Sequence, residues 1–235
     1  MTPLISVIIP SYQHANTVKA CLESVLNQSY QPLEIIIVND GSTDGTEEIL
    51  RPYFDRIVYH YQQNSGGNAA RNAGFKLSQG EFIIFCDADA VLERDMLGKM
   101  VKQLEAHPDT SYCYSGFRFG WKSFPSYPFS AERLKKMNFI HTTTLIRRAD
   151  FPGFDETLRR FQDWDVWLTM LEHGKQGVFI NEELFHIEDD RERKGISEWR
   201  PSFVYRIPWK KVGWAPTAIK KYEAAKAIIM SKHHL

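Results

Sequence analysis

The stretch Phe82-Ile83-Ile84-Phe85-Cys86-Asp87-Ala88-Asp89 decides the fold. Its first five residues form a short apolar run, the pattern of a strand buried on both faces of a parallel sheet. Two carboxylates one residue apart follow it. Carboxylates are costly to bury unpaired, so this pair reads as sitting at the open carboxyl edge of the sheet, where it faces a ligand. Hard oxygen donors in this alternation suit Mg2+ or Mn2+, ions that keep several waters and accept diphosphate oxygens. Asp-x-Asp also occurs in ordinary turns. The ligand reading therefore rests on three further segments that agree with it.

Leu4-Ile5-Ser6-Val7-Ile8-Ile9 is a near-continuous apolar strand stopped by Pro10-Ser11-Tyr12. The pattern after it is helical, with Val18, Cys21, Leu22, Val25 and Leu26 on one face. Leu33-Glu34-Ile35-Ile36-Ile37-Val38 is a second buried strand, and the polar turn Asn39-Asp40-Gly41-Ser42-Thr43-Asp44-Gly45 leads from it into a helix near 46–50. The third segment, residues 64–74, reads as a Gly-rich loop opening a helix. The free N–H groups and dipole of such a helix start favour anions.

Taken together, SVIIPSY (6–12), IIIVNDGSTDGT (35–46), NSGGNAARNAG (64–74) and FIIFCDADA (82–90) resemble the N-terminal signature of glycosyltransferase family 2. Asn138 to Arg148, Gly153-Phe154-Asp155-Glu156 and the run from Phe161 to Leu168 look like that family's acceptor side, so the resemblance covers about residues 4–188. It implies an inverting enzyme with the GT-A fold: α/β, with a Rossmann-like, mostly parallel central sheet and helices on both faces. It also implies a nucleotide-sugar donor, commonly UDP-linked, and a divalent ion, Mg2+ or Mn2+.

At 235 residues the chain has room for one α/β domain with a sizeable core, and its 43 % apolar content is that of a globular protein. Formal net charge is zero, which argues against nucleic acid as a general partner. The charge is unevenly placed: from Arg191 to Leu235 there are eleven Lys/Arg against three Asp/Glu. The three cysteines are an odd set without metal spacing, which points to a reducing cytoplasm. No apolar run approaches 18 residues and no basic segment precedes an apolar one at the N-terminus. The expectation is therefore neither a membrane span nor a signal peptide.

Alternation of strand and helix over residues 1–110 predicts the nucleotide-binding half of a 1–190 catalytic domain, with 111–190 as its acceptor half and 191–235 as a basic aromatic tail. Strands are expected near 4–9, 33–38, 56–61, 82–86, 111–119, 141–147 and 177–180. Helices are expected near 94–106, 163–173 and 216–231, and a Pro-rich loop over 120–130.

Site residues follow from the resemblance, each beside a plainer reading. Pro10 ends the first strand and Tyr12 is placed at the base, or is simply rim packing. Asp40 recognises a base edge, or caps its own turn as Ser42 and Asp44 also can. Arg71 contacts the nucleotide or its phosphates, or lies on a solvated helix face; Asn64, Gly67 and Asn72 shape the loop or touch the nucleotide. Asp87 reaches the ribose or a metal-bound water, and Asp89 ligates the ion. His186 is the candidate late His ligand, or an ordinary core or surface histidine.

Inverting transfer needs one carboxylate to take the acceptor hydroxyl's proton. The family's usual Glu-Asp pair is here Gln162-Asp163, which leaves Asp163 as the expected base. Asp165 reads as a first-turn carboxylate favoured by the helix dipole, pointing elsewhere. Trp164 and Trp167 are candidate sugar platforms, one of them expected in the core. In the tail, Trp199, Arg200, Phe203, Tyr205, Arg206, Trp209, Lys210, Lys211 and Trp214 interleave aromatics with cations. That composition fits peripheral contact with the inner face of a membrane, nucleic acid, or a solvated helix closing over the domain.

The expected partners are a nucleotide-sugar and a glycan or lipid-linked acceptor, in work of the kind that builds bacterial surface polysaccharide. A catalytically inactive nucleotide-sugar-binding subunit is the alternative. It is opposed by the presence of Asp87, Asp89 and Asp163. A sugar-nucleotide pyrophosphorylase needs a Gly-rich phosphate loop directly after the first strand, where this chain has Pro10-Ser11-Tyr12. No Gln-x-x-Arg-Trp motif supports a processive synthase.

Overall fold

The apolar runs pair side by side in a computed structural model that describes residues 2–188 and 216–235. β1 (Ile5–Ser11), β2 (Leu33–Asn39), β3 (Val58–Tyr61) and β4 (Phe82–Phe85) are parallel, in the order β3-β2-β1-β4. Parallel strands need crossovers, and these are α1 (Val18–Leu26), α2 (Thr46–Leu50) and α3 (Gly67–Leu77). The strand order reverses between β1 and β4, which opens the ligand crevice at their carboxyl ends. Asp87 and Asp89 lie there as expected, just beyond β4.

The second half extends the same sheet. β5 (Ala90–Leu92), α4 (Met96–Ala106), β6 (Tyr112–Phe119), β7 (Lys122–Phe124), α5 (Ala131–Lys136), β8 (Leu145–Arg147), α6 (Gln162–Glu172) and β9 (Gly177–Ile187) follow in turn. β8 is antiparallel to both β4 and β6, and β9 runs parallel to β6 and antiparallel to β5. α7 (Thr217–Lys232) ends the chain close to where a tail helix was expected.

Successive strand residues face opposite sides, so the sheet carries two cores. Val7, Ile9, Ile35, Ile37 and Ile84 pack with α1 and α4 on one face, while Ile8, Ile36, Val38, Ile83 and Phe85 pack with Ala70, Trp164 and Trp167 on the other. α3 lies close on β1 because Gly74 has no side chain: a Cβ there would run into Ile8.

Several expectations need correction. The strand expected over 141–147 is ordered as strand only from Leu145, and the short strand at 177–180 runs on to Ile187. The segment read as a loop over 120–130 contains β7, which pairs back on β6. β5 and α5 carried no periodicity long enough to read. The aromatic and cationic residues 199–214 lie outside the described residues.

Candidate active site

Asp40 stands at the carboxyl edge of the sheet, beside the Gly-rich loop. It is 2 % exposed at the end of β2. Its Oδ1 accepts from Ser65 N–H at 2.9 Å and Gln62 Nε2 at 2.8 Å, and its Oδ2 from Gly66 N–H at 2.9 Å. Gly66 meets it with φ +95°, a conformation that favours glycine. Asp40 thus ties β2 to the Gly-rich loop rather than capping its own turn. The local caps come from Asn39, which accepts from Ser42 N–H, and Asp44, which accepts from Thr46. A carboxylate has about four acceptor positions, so three bonds leave room for a ligand N–H.

α3 aims Arg71 at the acidic pair. Arg71 is buried, contrary to a solvated-face reading, and its Nη2 lies 2.6 Å from Asp87 Oδ1. Its guanidinium also lies over the Phe154 ring, 5.4 Å from the centroid. Burial works against ionising Asp87, but Arg71, His141 and His14 outweigh it and hold the carboxyl below its ordinary range. Tyr12 sits on the rim, 42 % exposed, Asn64 and Gly67 are exposed on the loop, and Pro10 is in register with Val38.

Asp89 is half-buried in the turn between β4 and β5, and its carbonyl accepts from Glu188 N–H at 2.8 Å. That bond continues the β5–β9 ladder, in which His186 stands opposite Val91. His186 Nδ1 is buried without a hydrogen-bond partner. Among the described residues no three His, Cys, Asp or Glu side chains form a ready-made cation cage. Mg2+ at a phosphate site takes only one or two protein carboxylates beside substrate oxygens. A carboxylate in the turn before β5 and a partnerless imidazole nitrogen on β9, the strand paired with β5, are donor types that suit such an ion.

Asp163 lies in the first turn of α6. Asn138 Nδ2 donates to its Oδ2 at 2.7 Å and Trp164 N–H to its Oδ1 at 2.9 Å. Burial raises its carboxyl above the ordinary value, against the pull of nearby His141, these two hydrogen bonds and Arg71. His141 is coupled electrostatically to both Asp87 and Asp163. Burial lowers the pKa of its imidazole, and its Nδ1 accepts from Thr143 N–H at 3.0 Å. The single sequence signalled neither Asn138 nor His141 individually, because each acts across the fold.

Two readings fail. Trp164 is 1 % exposed and its Nε1 donates to Leu134 O, so it cannot offer a face to an acceptor sugar; Trp167 is equally buried and donates to Ile140 O. Both are core. Asp165 is a first-turn carboxylate of α6 as expected, and it is 3 % exposed and bonded to Lys232 and His233.

This sheet order, with its crevice and edge carboxylates, is a GT-A fold. A model of "Glycosyl transferase family 2" matches residues 6–165, and the chain belongs to that family. Bacillus subtilis (strain 168) TuaG, whose name assigns it provisionally to teichuronic acid biosynthesis as a glycosyltransferase, is 30 % identical, over 93 % of this chain and 97 % of TuaG. An uncharacterised Rickettsia typhi glycosyltransferase, RT0329, is 32 % identical over 72 % of this chain, which spans only 59 % of that protein's length. Among solved structures, S. aureus TarS 1–349 in complex with UDP-GlcNAc gives a TM-score of 0.70 at 19 % identity, over 97 % of this chain and 72 % of that one. The mannosyltransferase PcManGT from Pyrobaculum calidifontis, in complex with GDP-Man and Mn2+, gives 0.67 at 20 % identity, over 97 % and 70 %.

Proposed function

We propose that this glycosyltransferase is inverting and divalent-ion-dependent, and that it moves a sugar from a nucleotide-diphospho-sugar, UDP-linked, to a hydroxyl of a glycan or lipid-linked acceptor in bacterial surface polysaccharide assembly. The observation that carries the reading is the disposition of two half-buried carboxylates. Asp87 is kept ionised by Arg71 on the donor side, while Asp163 has a raised proton affinity on the acceptor side.

In this reading Asp163 accepts the proton of the acceptor hydroxyl as its oxygen bonds to the anomeric carbon and the bond to the diphosphate breaks. Inversion follows from in-line displacement. A carboxylate with a raised pKa is a stronger base, and Asn138 holds it in place. Arg71 and the N–H groups at the start of α3 lie where a diphosphate would need positive potential. Asp40 and Tyr12 are assigned to the base, with Pro10, Asn64 and Gly67 shaping the pocket. Asp89 and His186 would hold the ion, with Asp87 beside it; the bound ion would neutralise charge on the departing diphosphate.

TuaG's name supports a glycan or lipid-linked acceptor, the UDP-GlcNAc complex of TarS a UDP donor, and the Mn2+ complex of PcManGT the ion. No helix among the described residues is long and apolar enough to cross a membrane. Contact with the inner face of the cytoplasmic membrane is assigned to the tail of residues 191–235. The test is a thermal-shift panel of nucleotide-sugars with and without Mn2+, since a ligand that binds the folded state raises Tm. Metal-dependent stabilisation by one UDP-sugar, followed by turnover of that sugar, is the expected result. A panel without response would overturn the reading.

A further inference from the structure

We propose that Lys232 and His233, at the end of α7, are positioning residues that lock the acceptor helix α6 to the loop packed against the donor helix α3. The proposal rests on the transferase reading above only for what the lock positions.

The lock is built from both directions. Lys232 Nζ lies 2.7 Å from Asp155 Oδ2 and 2.8 Å from Asp165 Oδ1, so one ammonium bridges two elements. Its bond to Asp155 is the chief cause that holds that carboxyl down to about 2. His233 is 6 % exposed. Its Nε2 lies 2.9 Å from Asp165 Oδ1 and its Nδ1 2.7 Å from Glu172 Oε1, so it grips α6 at both ends. The ring donates to both carboxylates together only when both nitrogens carry protons.

Each element reached by the lock carries part of the site. Asp165 is two residues from Asp163, and its buried carboxylate meets both Lys232 and His233. The Asp155 loop is fastened to α3: Asn68 Nδ2 donates to Asp155 O and Leu158 O, and Asn72 Nδ2 to Phe154 O. Phe154 in turn packs beneath Arg71, which holds Asp87. Lys232 therefore closes a chain of contacts from the donor carboxylate to the acceptor base. Misplacement by about 1 Å can cost about a hundredfold in rate, so a lock at this junction acts on turnover without touching substrate.

The experiment compares wild type with Lys232→Met, Lys232→Arg and Asp155→Asn in the full chain. Three readouts are taken: hydrogen exchange of residues 161–168, donor affinity by calorimetry, and kcat for transfer. The expected result for Lys232→Met and Asp155→Asn is faster exchange at 161–168 with β1 exchange unchanged, a kcat lowered about 10- to 100-fold, and donor affinity within twofold of wild type. Lys232→Arg should recover most of the rate. Unchanged exchange in both Lys232→Met and Asp155→Asn would overturn the lock. Faster exchange with wild-type kcat would overturn its positioning role. A wild-type protein that transfers no sugar would count against the proposed function, while the exchange data would still decide the lock. If Lys232→Met does not fold, Asp155→Asn, which severs one end of the bridge, decides alone.

Discussion

Arg71 Nη2 lies 2.6 Å from Asp87 Oδ1, so the first carboxylate of the acidic pair is held by the Gly-rich helix without any ligand. Arg71 is buried and Asp87 half-buried, so breaking the pair leaves a partly uncompensated charge, at a cost of no more than about 3 kcal/mol, that of a fully buried pair. Arg71→Met should therefore lose about 2–3 kcal/mol at pH 7, measured by urea unfolding, together with most of its donor affinity. The pH dependence follows from the sign of the shift. Asp87 titrates below its ordinary value in the folded state, so its contribution is complete above about pH 4. It disappears as pH falls through the depressed value. The gap between variant and wild type should narrow over that acid range, and equal stabilities at pH 7 would contradict the pairing.

Asp89 and His186 make a separate prediction. Asp89→Ala should remove Mn2+-dependent binding of UDP while leaving Tm within about 2 °C, because a half-buried turn carboxylate supports little of the core. His186→Ala should weaken the metal-dependent part of binding about 10- to 100-fold and leave metal-free binding alone. Calorimetry with UDP, with and without Mn2+, measures both. Wild-type affinity in Asp89→Ala would remove the ion from this site.

The parallel half of the fold was legible because β1, β2 and β4 are apolar runs ending in polar turn residues, and the acidic pair could be placed from β4 alone. The acceptor half was harder to read because its elements are short and their partners distant. β8 is three residues long, between β4 and β6, and pairs with both. Trp164 looked like a platform because it adjoins the expected base. On a helix adjacent residues face different sides, and its indole turns into the core to reach Leu134 O. The partners of Asp165 were illegible for a related reason: the last turn of α7 covers it, from 67 residues further along the chain. No local pattern carries that contact, nor the way His141 couples Asp87 to Asp163.

The Asp165 contacts make its loss costly. Its two oxygens accept from Lys232 at 2.8–3.0 Å and from His233 at 2.9 Å. In Asp165→Asn the amide keeps one acceptor and turns a donor towards the Lys232 ammonium or the His233 ring in a buried setting. A loss of about 2–3 kcal/mol is expected, seen as a fall in Tm of about 4–10 °C for a chain of this size. Thermal unfolding at neutral pH is the check, and an unchanged Tm would show that α7 does not rest on this carboxylate.

Asp163→Asn should do the opposite, abolishing transfer while leaving stability unharmed. The fold raises the proton affinity of Asp163, so ionisation of this group costs stability above its folded pKa. An isosteric amide carries no such cost. It keeps one of the two hydrogen bonds directly, and the Asn138 amide serves the other only by giving up the 3.3 Å bond its Oδ1 accepts from Ile140 N–H, a partial offset. Stability at pH 7 should therefore be equal or slightly higher, and donor affinity should stay near wild type because Asp40, Arg71 and Asp89 are untouched. Turnover should fall about a hundred- to ten-thousand-fold, the usual cost of losing a general base. The same shift sets the pH profile. Asp163 must be ionised to act, so kcat/KM should fall on the acid side through a pKa above the ordinary carboxylate value of about 4. That limb should be absent from the residual activity of Asp163→Asn. Steady-state kinetics from pH 4.5 to 8 with one acceptor would measure both. A variant that retains turnover, or a wild-type profile flat down to pH 4.5, would assign the base elsewhere.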